Sequence, residues 1–150
     1  MADRPPGPGS DPLRTYFEDV EVGVPLETPA LTLTEAHVAL FAGVAEHGRG
    51  APSHVPELLP LCISSGLTWR IPAPPLAVMA FMGFEWRFLR PVGVGDTIRA
   101  RLQTVAKRSM REGGVVIERR ELMNQRGEIV QSGRVTLLVA RRPAGRGAAA

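Results

Sequence analysis

Two of the three histidines lie in a glycine-rich segment, residues 43–54, just before a long apolar run. His47 and His54 are accompanied by Glu46, and Glu57 follows three residues after His54. An imidazole beside a carboxylate can accept or donate a proton near neutral pH, which is the chemistry of general acid–base catalysis. If the chain is an enzyme, we expect its catalytic groups among these four residues.

Each candidate also has a purely structural interpretation, which the sequence leaves open. Glu57 can be an acid at the start of a helix, where the helix dipole favours negative charge. Glu46 and His47 can be solvated loop residues, and His54 can be a capping or buried polar residue. The third histidine, His37, is expected to be a surface or half-buried residue of a separate helix.

The apolar run that follows predicts a buried helix, from about Pro56 to Leu67. No charged residue follows Glu57 in this run, so we expect burial on nearly every side. Cys62 is accordingly interpreted as a small core residue and not as a nucleophile. The start of such a helix presents free backbone N–H groups and a partial positive charge.

The rest of the chain predicts one further helix and five strands. Thr34 is a good N-cap for a helix that ends near Gly48, with an apolar stripe at Val38, Phe41, Ala42 and Ala45. Alternating patterns joined by tight turns predict strands at residues 27–33, 76–89, 97–108, 115–123 and 129–140.

One apolar helix followed by long strands predicts an α+β hot-dog fold, in which an antiparallel sheet wraps around a central apolar helix. The apolar face of the sheet should lie on the helix, and the arginines should face outward. Long strands leave an unpaired edge, and pairing with a second sheet would cover it, so we expect a dimer.

Length and composition indicate one folded domain, at residues 13–140, between Pro/Gly-rich tails at residues 1–12 and 141–150 that we expect to be disordered. The N-terminal residues do not resemble a signal peptide, and no run approaches the roughly 20 apolar residues that span a bilayer, so no membrane partner is expected. A single cysteine excludes a disulfide framework and favours a cytoplasmic location. The net charge of +3 comes from scattered arginines, which disfavours nucleic acid as a partner.

Several short motifs resemble the MaoC-like dehydratases, a family that includes (R)-specific enoyl-CoA hydratases. They are YFEDVEVG, LTEA, FAGV, FLRPV, GDT and NQRGE, and they begin at residues 16, 33, 41, 88, 95 and 124. The resemblance implies a hydro-lyase that adds or removes water across the double bond of 2-enoyl or 3-hydroxyacyl thioesters. It also implies an acyl-CoA or acyl-ACP substrate and no metal or redox cofactor.

The family's active-site signature is only partly present. It consists of an aspartate, then asparagine-proline, then a histidine five residues after the aspartate. His54 and Pro52 match the histidine and the proline, whereas Arg49 stands at the aspartate position and Ala51 at the asparagine position. An arginine stays charged and cannot act as a base, although Arg49 can bind a phosphate or carboxylate of the ligand.

The resemblance also implies that a backbone N–H at the start of the central helix binds the thioester oxygen. The histidine-glycine pair that opens this helix in the family is replaced here by Pro56-Glu57. Because proline has no N–H, the donor must be a later residue such as Leu58 or Leu59.

Two main interpretations therefore remain open. In the first, Glu46, His47 or Glu57 replaces the missing aspartate and works with His54. In the second, the chain is a catalytically silent thioester-binding subunit of a hot-dog heterodimer, and the homodimer remains an alternative assembly. A third interpretation keeps the pocket for another reaction in a biosynthetic pathway.

Overall fold

The computed structural model describes residues 11–45 and 55–144. In these ranges it shows two helices and six strands, after a short 3₁₀ helix at Phe17–Asp19. The helices are α1 (Glu35–Ala45) and α2 (Leu58–Thr68), and the strands are β1 (Pro25–Glu27), β2 (Leu31–Thr32), β3 (Val78–Phe88), β4 (Thr97–Met110), β5 (Gly113–Met123) and β6 (Ile129–Val139).

The strands form one antiparallel sheet in the order β1-β4-β5-β6-β3, and β2 also pairs with β4. Alternation along β4 places Ile98, Ala100 and Leu102 on a buried face and Arg99 and Arg101 on the exposed face. The buried face packs against α2, as predicted. The core at the start of α2 contains Leu59, Ile98, Ala100, Leu122 and Val130.

The prediction of one strand over residues 27–33 is wrong, because this segment divides into β1 and β2. Pro29 lies between them and has no N–H to donate to a neighbouring strand. Thr28 compensates at the break: its N–H donates to Ala100 O (2.9 Å), and its hydroxyl oxygen accepts from Ala100 N (2.9 Å).

The N-cap of α1 is Thr34, as predicted, and His37 completes the cap. The Thr34 hydroxyl oxygen accepts from His37 N at 3.4 Å, while the Thr34 N–H donates to His37 Nδ1 at 3.1 Å. This reciprocal pair satisfies groups that a helix start leaves without partners. His37 is half-buried and serves the fold, which agrees with its sequence interpretation.

Helix α2 is not buried on every side, so that prediction is wrong for the single chain. Leu59 and Leu67 lie against the sheet, but Leu58, Cys62 and Trp69 are exposed. A sheet covers only one side of a helix, and the spacing of these three residues places them together on the opposite side. Cys62 is consequently not a core residue.

Two tight turns at one end of the sheet are joined to each other. Gly127 has a φ of +76°, as its place in the predicted hairpin requires. In the preceding turn, Asp96 accepts a hydrogen bond from Gly93 N (2.8 Å), and Gln125 Nε2 donates to Asp96 Oδ1 (2.8 Å). The Gln125 bond, followed by the Gly93 bond, holds the pKa of Asp96 below its ordinary value.

Two arginines that follow β6 are bound to the rest of the chain. Arg141 Nε donates to Met110 O (3.3 Å), and Arg142 N donates to Glu18 Oε2 (2.9 Å).

The division into a domain at residues 13–140 and two disordered tails stays a prediction. None of the described helices is long and apolar enough to cross a membrane.

Replacement of Asp96 should change the acid dependence of stability. A carboxyl whose pKa is lowered on folding stabilises the protein above its unfolded pKa of about 3.9, and this contribution is lost as the pH falls through the folded pKa. Asp96→Asn should therefore lower the free energy of unfolding at pH 7, and by less at about pH 2.5. Urea denaturation at both pH values measures this difference. An equal effect at both would contradict the role of the carboxylate.

Candidate functional site

Five of the predicted site residues lie outside the described residues: Glu46, His47, Arg49, Pro52 and His54. Their roles stay predictions. The structure describes the other three, which are Glu57, Leu58 and Leu59, and these form the start of α2.

The backbone at the start of α2 distinguishes the two candidate N–H donors. The Leu59 N–H donates to Pro56 O at 3.0 Å and is therefore already used. The next residue, Pro60, has no N–H. The Leu58 N–H belongs to the first turn, where a helix offers no acceptor, and Leu58 is 45% exposed whereas Leu59 is 5% exposed. Leu58 is thus the better candidate for binding an oxygen of a ligand.

The buried amide of Gln131, on β6, fixes the start of α2 to the sheet. Gln131 Nε2 donates to Glu57 O at 2.8 Å, and Gln131 Oε1 accepts from Trp86 Nε1 at 3.0 Å. Gln131 is only 2% exposed. The sequence analysis did not identify this residue, although an amide in a strand beside the buried Val130 was a usable signal.

The side chain of Glu57 is exposed and makes no hydrogen bond within the described part of the chain. Its backbone is helical (φ −59°, ψ −30°), so the residue is already part of the helical turn. A free carboxylate at the start of α2 can approach a ligand there, which keeps Glu57 a candidate for the missing acidic group.

A second polar feature lies on the inner face of the sheet, where the sequence predicted only apolar residues. Arg120, expected to face outward with the other arginines, is buried on β5 and pairs with the buried Glu118. Alternation along β5 places both on the same face as Val116 and Leu122. The pair borders a cavity of about 490 Å³ at the far end of α2.

No cluster of three or more His, Cys, Asp or Glu side chains suited to a metal ion occurs among residues 11–45 and 55–144. The absence of a metal or redox cofactor stays a prediction, because His47 and His54 lie outside these ranges.

No model of a known protein family matches the chain. The chain is 33% identical, over 105 residues, to the protein MaoC of Klebsiella aerogenes, and the match covers 61% of the chain and 31% of that relative. The chain therefore spans about a third of the length of this curated relative.

Solved structures match over most of the chain. The monoamine oxidase regulatory protein from Archaeoglobus fulgius is 30% identical with a TM-score of 0.75, covering 87% of this chain and 97% of that one. A MaoC-like dehydratase from Rhodospirillum rubrum is 22% identical with a TM-score of 0.72, covering 87% and 99%. A conserved hypothetical protein from Mycobacterium tuberculosis with a double hot-dog fold is 19% identical with a TM-score of 0.71, covering 90% and 47%. The predicted hot-dog fold is confirmed.

Loss of the Gln131 amide should loosen the start of α2. Gln131→Met keeps the side-chain length but leaves Glu57 O and Trp86 Nε1 without partners, which should lower the free energy of unfolding by about 1–3 kcal/mol. Gln103→Met is the control, because Gln103 also donates to a backbone carbonyl, that of Gly23, but at an exposed site. Urea denaturation compares the two variants. Equal effects would contradict the assigned role of Gln131.

Proposed function

Since this chain belongs to the MaoC-like family of hot-dog proteins, we propose that it acts as a hydratase or dehydratase on 2-enoyl or 3-hydroxyacyl thioesters of CoA or an acyl carrier protein. The resemblance to a structure named as a MaoC-like dehydratase supports this reaction class. The mild positive charge suits the phosphates of such carriers. We infer a cytoplasmic location from the single cysteine.

The observation that carries the proposal is the backbone at the start of α2. During hydration the thioester oxygen gains negative charge, and a preorganised N–H stabilises it most when the donor is already in place. The Leu58 N–H supplies this donor in our proposal, because the Leu59 N–H is bound to Pro56 O. The Gln131 bond to Glu57 O keeps this turn in position, and the partial positive charge of the helix start adds to the effect.

His54 acts in the proposed reaction as the group that takes a proton from water. The water oxygen forms a bond to carbon 3 of the enoyl chain, the O–H bond breaks, and carbon 2 receives a proton. In dehydration the same steps run in reverse. A second polar group is needed to orient the imidazole or the water, and the carboxylates of Glu57 and Glu46 and the imidazole of His47 are the candidates for this role.

The second candidate function is that of a silent thioester-binding subunit. The observation that favours it is Arg49, which occupies the position of the family's aspartate and cannot act as a base. In this alternative the partner chain of a heterodimer supplies the catalytic pair. Arg49 would then bind a phosphate or carboxylate of the ligand.

The silent-subunit alternative requires a second hot-dog chain and the hydratase is also expected to be a dimer, and the surface of this chain supports such an assembly. Among residues 11–45 and 55–144, strand β3 pairs only with β6, so it is an edge strand of the described sheet. Its large apolar side chains are unusually exposed, with Phe81 at 57% and Phe84 at 52%. The uncovered side of α2 adds Leu58 and Trp69 to the exposed apolar area. We propose that a second copy or a related chain covers β3 and this side of α2.

Replacement of His54 should separate the catalytic from the silent interpretation. We expect slow hydration of crotonyl-CoA and longer enoyl-CoAs, and His54→Gln should reduce kcat by about 10²–10⁴-fold, the usual contribution of general acid–base catalysis. His37→Gln is the matched control, because His37 caps α1 and should leave turnover nearly unchanged. The loss of absorbance of the enoyl thioester follows the reaction.

A further loss in Glu46→Gln, His47→Gln or Glu57→Gln would identify the group that replaces the aspartate. No turnover by the pure chain, together with retained binding of the thioester, would instead support the silent subunit.

An acidic substitution on the β3 edge should separate the two chains of a homodimer. Phe84→Glu introduces a charge that would be buried at the proposed interface, so we expect a shift from dimer to monomer in light scattering after size-exclusion chromatography. Val94→Glu is the control, because Val94 is equally exposed (51%) but lies in the turn before β4. If the wild-type protein is itself a monomer, a homodimer is contradicted, and the exposed β3 edge would need a different chain to cover it.

A further inference from the structure

The cavity at the far end of α2 is large enough to hold part of a substrate. Its volume of about 490 Å³ falls in the range of about 300–1,000 Å³ that is typical of small-molecule sites. Ser65, Thr68 and Trp69 border it on one side, and Leu102 and Leu137 from the inner face of the sheet border it on the other. Seven residues separate Ser65 from Leu58, which is about 10 Å along a helix axis.

Most of the cavity wall is apolar, as a site for an acyl chain requires. The apolar side chains come from the segment before β1, from β1, from the segment between α2 and β3, and from the strands themselves. They include Val20, Leu26, Leu76, Phe81, Leu102 and Leu137.

Among the polar residues of the wall, two form a buried ion pair on β5. Arg120 donates two hydrogen bonds to Glu118 Oε2, from Nε at 3.0 Å and from Nη2 at 2.6 Å. Arg120 is 7% exposed and Glu118 is 6% exposed. Thr104 faces Glu118 across the strand pair and lines the same cavity.

Part of this ion pair is available to a ligand. Arg120 Nη1 and Glu118 Oε1 make no hydrogen bond within the described part of the chain. In the same ranges, no fully enclosed side-chain nitrogen or oxygen lacks a partner. Both atoms therefore keep some accessible surface, and both residues line the cavity, so water or a ligand can bind them there.

A purely hydrocarbon chain would be a poor occupant of this end of the cavity. It would displace water from Arg120 Nη1 and Glu118 Oε1 without replacing the hydrogen bonds, and buried polar atoms without partners are unfavourable. The occupant should therefore carry a polar group beside an otherwise apolar body.

The charges select which polar group is suitable. A carboxylate would approach the like charge of Glu118 and also that of Asp19 and Glu21, whose residues line the cavity. A cation would approach Arg120. A neutral hydroxyl can donate to Glu118 Oε1 or accept from Arg120 Nη1, and it repels neither charge.

We propose that this cavity binds an acyl chain bearing a hydroxyl group and that Glu118 and Arg120 determine this specificity. The inference rests on the proposed function in one respect, since it takes the ligand to be the acyl part of a thioester. The hydroxyl lies in the half of the cavity bordered by β5, beyond the start of α2 where the thioester oxygen would bind.

Calorimetric titration with short neutral thioesters tests the proposal. The probes are the N-acetylcysteamine thioesters of octanoic acid and of 6-, 7- and 8-hydroxyoctanoic acid. At least one hydroxylated probe should bind about tenfold or more tightly than the octanoyl probe, because hydrogen bonds to charged groups are among the stronger ones. Equal affinity for all four probes, or binding of none, would overturn the proposal.

A double variant isolates the ion pair. Glu118→Leu with Arg120→Met removes both charges together, so no buried charge is left unpaired and the fold should persist. In this variant the preference for the hydroxylated probe should fall to within about twofold, because both groups that can bind the hydroxyl are removed. A preference that survives in the variant would overturn the assignment to these two residues.

The matched control lies on the same strand. Arg119→Met with Glu121→Leu removes the same two residue types at the same spacing, from an ion pair of 2.7 Å on the opposite face of β5. This control should keep the full preference.

Hydration of crotonyl-CoA tests the proposed function separately, because a four-carbon chain is too short to extend from the start of α2 to the ion pair. A protein that shows no turnover but binds a hydroxylated probe more tightly would contradict only the proposed function. Turnover without tighter binding of a hydroxylated probe would contradict only this inference.

Discussion

The fold depends on how the single sheet holds the start of α2, and one buried amide makes that connection. Gln131 accepts from Trp86 on the edge strand and donates to the carbonyl of Glu57. An amide can do both at once, since it carries an acceptor oxygen and a donor nitrogen. The turn that contains Leu58 is therefore bonded to a strand 74 residues further along the chain.

The inner face of the sheet differs along the length of α2. Near the start of the helix, Leu59 packs against Ile98 and Leu122, and this region is a dry core. Near its end, Glu118 and Arg120 interrupt the apolar surface beside a cavity. Such a pair contributes little net stability, because removing both charges from water costs about as much as their attraction returns. The proposed ligand would give this pair a role in binding.

The motifs that resemble the family include residues that hold the turns of the fold, whereas residues 49–54 depart from the family's active-site signature. Asp96, from the GDT motif, binds Gln125, from the NQRGE motif. Asn124 Oδ1 accepts from the N–H of Arg126 and of Glu128 within its own turn. Turn geometry restricts such residues closely, so a chain can have them even where its active-site signature is incomplete.

The sequence by itself determined the extents of the four long strands, β3 to β6, to within two residues, the face of β4 that is buried, and the cap of α1. These properties are local, because alternation with period two and the hydroxyl of Thr34 act over a few residues. Pro29 was also a local signal, and its effect on β1 and β2 was underestimated.

Only the tertiary structure decided the exposure of Cys62, the partners of Gln131 and the inward ion pair of Arg120. The apolar composition of α2 predicted burial on nearly every side. A sheet covers only one side of a helix, however, and leaves the opposite side exposed. Alternation put Glu118 and Arg120 on one face, yet their burial depends on the cavity that α2 and the segment after it enclose. Contacts between residues far apart in sequence are set by packing, and no local pattern contains them.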